Sequence, residues 1–248
     1  MTRLSAAIVA QDEAARLPRC LAALASCDEI VVVDGGSVDD TVRLARAAGA
    51  RVVERPFTTW AEQREAARQA CAGEWVLSVD ADEVVSEALA REIALALDGP
   101  HAAYAIPFAN HLAGVQLRHG GFWPDRHVRL FRRDRARWDP ARPVHERLVV
   151  DGTVGRLASP VLHYTYDSMA HALAKTRRYA DAAAQSLHAR GRRGSAMSLA
   201  VKPAWRFFRA FVLRRGFLDG AAGARMAWLR AYEAFRREAR LRELGRSA

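Results

Sequence analysis

Three cysteines in 248 residues are too few for a disulfide framework, and Cys20, Cys27 and Cys71 lack the spacing of a metal site. They read as reduced thiols in or near the core of a cytoplasmic protein. Nor does any apolar run approach the roughly 18 residues that a membrane-spanning helix needs. The first ten residues meet Gln11-Asp12-Glu13 before a leader-type apolar core or a small-residue cleavage site is complete, so they read as a first strand. The glycines fit neither G-x-G-x-x-G nor the P-loop pattern, which leaves a dinucleotide or P-loop site unsupported. There is no internal repeat, no low-complexity tract and no recognisable RNA- or DNA-binding module, so nucleic acid is not an expected partner.

What is present is an apolar chain with a lopsided charge. Half of the residues are hydrophobic, enough for one large domain or a domain with an appendage. From His171 to the end there are 18 Lys and Arg against 5 Asp and Glu, whereas the first 170 residues carry 20 against 23. A nearly neutral globular front thus precedes a basic back, and such an asymmetry points to an anionic partner.

Hydrophobic patterning places strands at 4–10, 29–33 and 51–54, helices at 14–26, 41–48 and 58–72, and a fourth strand in Glu74–Asp80. Ile30-Val31-Val32-Val33 is the continuous β-branched run of a strand buried on both faces. The order β-α-β-α-β-α-β predicts a parallel sheet with helices on both sides. After a helix at about 86–98, short strands follow at 102–110, 127–132, 144–150, 153–157 and 160–164. Helical periodicity dominates from Asp167, with breaks expected at Gly191–Gly194, Gly216 and Gly220–Gly223.

The chain is organised around Glu74-Trp75-Val76-Leu77-Ser78-Val79-Asp80-Ala81-Asp82-Glu83, an apolar run ending in three carboxylates within four positions. A strand interior cannot hold them, so they mark where the strand leaves the sheet, and ligands of open α/β sheets bind at the carboxyl ends of strands. Asp80 and Asp82 there could hold a hard divalent cation that neutralises the phosphates of a nucleotide. A strand running into an acid-rich helix N-terminus is the simpler account of an isolated pair. Asp34-Gly35-Gly36-Ser37 ends the second strand as Asp80 ends the fourth, and both tips converge on one crevice. Asp34 there can accept hydrogen bonds from a base or ribose. Ser37 or Asp39 can cap the helix that follows.

These stretches, taken with later ones, resemble the family 2 glycosyltransferases of the GT-A fold, within them the lipopolysaccharide core glucosyltransferases. The matching residues are Asp12-Glu13-Ala14, Asp28–Asp34, Gly36-Ser37-x-Asp39-x-Thr41, Trp60, Gln63, Arg64 and Asp80-Ala81-Asp82-Glu83. Trp123-Pro124-Asp125, Arg129–Arg133, Val144-His145-Glu146, Leu162-His163-Tyr164 and Gly216–Gly220 continue the match over nearly the whole chain. The family usually carries Asn-Glu-Ala where Asp12-Glu13-Ala14 stands, and Gln11 and Gly35 are further departures.

The resemblance implies an α/β chain of the GT-A fold, Rossmann-like, with a catalytic domain over 1–166 and a basic helical extension over 167–248. It implies transfer of a hexose, glucose by preference, from a UDP-sugar donor with inversion at the anomeric carbon. The donor site would comprise Asp34, Gly36, Ser37, Gln63, Arg64, Asp80, Ala81, Asp82 and Arg129, with Arg64 or Arg129 near the phosphates. A divalent cation, Mg2+ or Mn2+, would be held by Asp82, with Asp80 touching metal or ribose and His163 a candidate third ligand. A general base must take the proton of the attacking hydroxyl; Glu146, set in Val144-His145-Glu146-Arg147-Leu148-Val149, comes first and Asp125 second. For Glu146 an exposed edge strand with a Glu–Arg pair is the bland account, for Asp125 a turn, and for Trp60 and Trp123 packing.

In the tail, Val201, Trp205, Phe208 and Val212 recur at 4,3,4 spacing, and Lys202, Arg206 and Arg209 follow one position on. Adjacent apolar-aromatic and basic stripes fit a helix lying on anionic lipid. A helix packed on the catalytic domain, or a homodimer interface, is the alternative. The expectation is a cytoplasmic enzyme peripheral to the inner membrane, acting on a lipid-linked glycan acceptor of the lipopolysaccharide core. A same-fold transferase acting on a peptide (through a cysteine sulfur included) or another glycan, and a non-catalytic nucleotide-binding protein with a basic tail, are the competing readings.

Overall fold

The computed structural model describes residues 3–139 and 147–246. Its elements, in chain order, are β1 (Leu4–Ala10), α1 (Leu17–Ala22), β2 (Glu29–Asp34), α2 (Thr41–Ala47), β3 (Arg51–Glu54), α3 (Trp60–Ala70) and β4 (Trp75–Asp80). β5 (Glu83–Val85), α4 (Glu87–Ala96), β6 (Ala103–Leu112), β7 (Val115–Gln116), β8 (Asp125–Arg132) and β9 (Ala136–Trp138) follow. The last are β10 (Leu148–Val150), β11 (Val154–Arg156), β12 (Val161–Tyr166), α5 (Met169–Ala189), α6 (Ala196–Phe208) and α7 (Gly220–Arg246). The main sheet runs β3-β2-β1-β4-β8-β6-β12-β5, parallel through its first four strands and antiparallel where β8 joins β4.

Two compact units are distinguishable, Met1–Phe108 with Arg126–His163, and Ala109–Asp125 with Tyr164–Ala248. In the first, the period-2 alternation of strand side chains feeds two cores on opposite sheet faces. Leu4, Ala6 and Ile8 of β1, Val32 of β2, and Trp75, Leu77 and Val79 of β4 enter one core, with Leu17 and Leu21 of α1 and Leu89 and Ile93 of α4. Ala7 and Val9, Val31 and Val33, and Val76 enter the other, with Ala67 of α3. The continuous apolar runs are thus continuous because both faces are covered.

Several boundaries differ from the patterning. Helix is confined to 17–22 in the first expected helix, beginning as Pro18 allows at a first turn, and Leu24 packs from the irregular segment after it. Of the expected strand at 144–150, residues 144–146 lie outside the described residues, and Leu148–Val150 is strand, paired antiparallel with β9. Gly220, at φ +58, marks the break between the turn at 216–219 and α7, whereas Gly223 lies within α7, where a Cβ would stand 1.8 Å from the Gly216 carbonyl oxygen. Neither Ser37 nor Asp39 caps α2, whose N-cap position is Asp40; the Asp39 carboxylate instead accepts from the Thr41 N–H at 2.9 Å and from the Thr41 hydroxyl.

In the second unit, β6 turns into β7 through Ala113 and Gly114, both at positive φ, as a two-residue hairpin requires. α5 buries Ala172, Thr176, Ala180 and Ala184, a stripe of small residues four apart that suits close helix packing. Asp181 accepts two hydrogen bonds from Arg236, at 2.7 and 2.9 Å. Buried Glu238 accepts from Ser198 Oγ and Lys202 Nζ, both at 2.8 Å. Lys202 of the basic stripe therefore ties α6 to α7. Asp219 accepts from the backbone N–H groups of Arg118 and His119 and lies 2.7 Å from His119 Nδ1, fixing the loop after β7. No helix among the described residues is long and apolar enough to cross a membrane.

Candidate active site

β4 ends at Asp80, and the chain turns through Ala81 and Asp82 straight into β5. β5 pairs antiparallel with β12, so that His163 stands opposite Glu83. This pairing brings a histidine from far along the chain to the acidic turn. Ligand atoms of Asp82, Glu83 and His163 lie within 4.8 Å of one another, and His163 Nε2 is 3.5 Å from Asp82 Oδ2.

The two aspartates of the turn do different work. Asp80 accepts from Arg64 Nη2 at 2.9 Å and from Arg129 Nη2 at 2.8 Å. Burial alone would raise its pKa, but Arg129 and then Arg64 outweigh burial and hold it well below the usual carboxylate range. Glu83, 1% exposed, accepts from the Asp80 N–H and from Arg129 Nη2. Burial pushes its pKa up to about 7, against the pull of Arg129 and with the push of Asp80. Desolvation would lower the pKa of His163, yet its hydrogen bond to Asp82 and the acidic charges around it leave it raised. Arg129 itself is raised against desolvation by Asp80 and Glu83.

Beneath this cluster lies Phe108, 2% exposed. The His127 and His163 rings meet it edge-on at 4.9 and 5.8 Å, and the Arg129 guanidinium sits 5.2 Å from its centroid. Arg129 Nη1 is buried without a hydrogen-bond partner, a spare donor beside the acidic turn. A set of two carboxylates and an imidazole suits a divalent cation that tolerates nitrogen, so the residues fit the expected metal. Asp82 and His163 are the better-placed pair, since both oxygens of Glu83 already accept hydrogen bonds. Asp80 stands outside the three and balances the arginines.

At the other strand tip, Asp34 is 3% exposed and accepts from the N–H groups of Gly36 and Ser37, both at 2.9 Å, and from Ser37 Oγ. The loops after β1 and β2 are stitched together, with Asp12 N–H donating to Ser37 Oγ at 2.9 Å and Val38 N–H to Asp12 Oδ1 at 2.8 Å. Gly36 has φ +99, a conformation that favours glycine. Gln63 is fully buried and donates to the Arg55 and Pro56 carbonyls at 3.1 and 2.9 Å. The Arg55 N–H in turn donates to the Asp34 carbonyl. The geometry therefore gives Gln63 the task of positioning the Asp34 loop.

Glu146 lies outside the described residues. Asp125 begins β8 directly after the cis Trp123–Pro124 bond and is half-buried. Trp60 packs edge-on against Phe57, centroids 5.0 Å apart. Ala81 is buried in the core below the turn. The residue that patterning passed over is Glu83, although it stood in the sequence as the third acid of the cluster. The three cysteines are free, with Cys20 and Cys71 buried.

Residues 5–142 match the family model described as glycosyl transferase family 2. A Rickettsia typhi protein described as an uncharacterized glycosyltransferase is 30% identical, over 98% of this chain and 88% of its own. A Rhizobium meliloti protein described as lipopolysaccharide core biosynthesis glycosyltransferase LpsC is also 30% identical, over 95% of this chain and 93% of its own. The crystal structure of S. aureus TarS 1-349 superposes with a TM-score of 0.50 at 15% identity, covering 94% of this chain and 91% of that one, a likeness of fold. The fold and these matches together define a glycosyltransferase of the GT-A fold. The chain belongs to glycosyl transferase family 2.

Proposed function

We propose that this chain moves a hexose, glucose by preference, from a UDP-sugar to a lipid-linked glycan of the lipopolysaccharide core type, with inversion at the anomeric carbon. The observation that carries the reading is the juxtaposition of Asp82, Glu83 and His163 at the end of β4 in a family 2 chain. The full-length similarity to LpsC supports the acceptor class.

Asp82 and His163 would hold a divalent cation, Mg2+ or Mn2+, which when bound supplies positive charge to offset that of the departing diphosphate. Arg129, anchored by Asp80 and Glu83, offers its unpartnered Nη1 to the same phosphates. The Asp34 loop, pinned by Ser37 and by Gln63 behind it, receives the nucleoside. The acceptor hydroxyl attacks the anomeric carbon on the face opposite the diphosphate. Its proton passes to a carboxylate, for which Glu146 is our assignment and Asp125 the second choice. The new C–O bond forms as the bond to the diphosphate oxygen breaks. The second unit would carry the acceptor and membrane contact, and the protein would sit at the cytoplasmic face of the inner membrane.

The direct test is calorimetric titration with UDP-, ADP- and GDP-sugars, each with and without Mn2+ or Mg2+, followed by donor hydrolysis. Cation-dependent binding of one nucleotide sugar is expected; no binding to any would favour a non-catalytic protein. In Glu146→Gln, donor binding should persist while transfer falls by about 10²- to 10⁴-fold, the usual worth of a general base. Transfer at the wild-type rate would hand the role to Asp125.

A further inference from the structure

The second unit holds a group of cations with no evident use in sugar transfer. Arg206 of α6, Arg209 and Arg214 of the turn after it, and Arg230 of α7 line one small cleft, closed below by buried Ala210. Among the described residues none of the four forms an ion pair with a carboxylate, in contrast to Lys202 and Arg236 nearby. Arg230 Nε is buried with no hydrogen-bond partner, and its guanidinium lies 4.4 Å from the centroid of the Phe122 ring. Burial, then the like charges of Arg214 and Arg206, draw the Arg230 pKa below its ordinary value, with Glu233 acting the other way.

The cluster is built rather than incidental. Arg214 lies against Gly121, where a Cβ would stand 2.2 Å from Nη1, and the Arg214 carbonyl accepts from the Gly120 N–H at 2.8 Å. Arg214 and Arg206 repel the Arg230 guanidinium in a cleft that Arg209 also lines, and a bound anion would relieve that repulsion. All four are arginines, whose planar forks suit bidentate contact with phosphate oxygens.

The surroundings indicate what carries the anion. Trp205 and Phe208 directly precede Arg206 and Arg209 and are 53% and 45% exposed; Val212 and Leu213, just before Arg214, are 43% and 56% exposed. α6 buries none of its residues fully. Exposed aromatic and aliphatic side chains interleaved with phosphate-seeking arginines match the boundary between headgroups and acyl chains of a bilayer.

We propose that Arg206, Arg209, Arg214 and Arg230 bind the phosphate of an anionic lipid while Trp205, Phe208, Val212 and Leu213 enter the interface around it. This deepens the membrane reading given above and names its site; it is independent of donor chemistry in the first unit. Charge balance favours a phosphate monoester, whose second negative charge uses more of the four cations than a diester would.

The test is flotation of the full chain with phosphatidylcholine vesicles doped with phosphatidic acid, or with phosphatidylserine to the same surface charge. Inorganic phosphate is titrated separately by thermal shift. Binding is expected to be strongest on phosphatidic acid. It should fall by roughly thirtyfold in Arg206→Gln/Arg209→Gln, from the usual worth of two basic residues at an anionic surface. Trp205→Ser/Phe208→Ser should also release the vesicles but keep the stabilisation by inorganic phosphate. Arg206→Gln/Arg209→Gln without anion at low salt should melt no lower than wild type, because repulsion is relieved; a purely structural role would lower its melting temperature. Wild-type vesicle binding by the double arginine variant would overturn the site, and stabilisation by free phosphate without vesicle binding would overturn the lipid assignment. Nucleotide-sugar affinity, measured on the same samples, reports separately on the transferase reading.

Discussion

Asp82→Ala should lose sugar transfer by about 10²- to 10³-fold or more while remaining folded, the scale expected when charge stabilisation of a leaving group is removed. The side chain is only 15% exposed, but it packs at the rim of a turn, not in either core, and its place facing His163 at 3.5 Å leaves the strands intact. Two readouts separate a ligand from a merely acidic neighbour. In wild type, Mn2+ or Mg2+ should tighten binding of the nucleotide, and chelator should reverse this; in Asp82→Ala the cation should make no difference. His163→Ala should weaken the cation effect in the same direction. Equal nucleotide affinity with and without cation in wild type, or an undiminished effect in Asp82→Ala, would remove the metal from this turn.

The largest effect on stability is expected from Arg129→Met. Its guanidinium joins Asp80 and Glu83, both at 2.8 Å, and its side chain is 11% exposed. Methionine matches the length of the stem and adds no clash, so the loss is electrostatic. Two enclosed carboxylates would lose their shared counter-charge, with Arg64 left to serve Asp80 alone. Breaking a buried pair from one side costs about 3–5 kcal/mol, because the stranded charge must be protonated or hydrated. Urea unfolding should report a loss of that size, and Arg129→Lys should recover only part of it, since an ammonium cannot bridge two acids as a planar fork does. Destabilisation below about 0.5 kcal/mol would mean that solvent already screens the trio.

The parallel half of the sheet is legible in the sequence because its physics is local. Ile30–Val33 and Trp75–Val79 are buried on both faces, and runs of that kind have few other uses. The strand-tip positions of Asp34 and Asp80 follow from the same reasoning. β5 is not legible: Val84-Val85 is too short to show a period and is a strand only because β12 lies beside it. The partnership of Glu83 with His163 was hidden with it. The place of Gln63 was hidden as well: a motif residue assigned to the donor site is a buried amide holding the backbone of residues 55 and 56. Lys202 reads as one of three equal surface cations, yet its partner Glu238 sits on a helix 36 positions away, beyond the reach of any local pattern.

The short β5–β12 ladder sets the ends of two remote chain segments against each other, and a cation gripped there would act as a removable rivet. Anything that binds the folded form alone shifts unfolding by mass action, by about 2.7 kcal/mol at a hundredfold excess over the dissociation constant. The resting enzyme should therefore hold its sheet edge more firmly in cation than in chelator. Local opening near His163, followed by amide hydrogen exchange, would rise as the rivet is withdrawn, turning a catalytic accessory into a gauge of how tightly the first unit is closed.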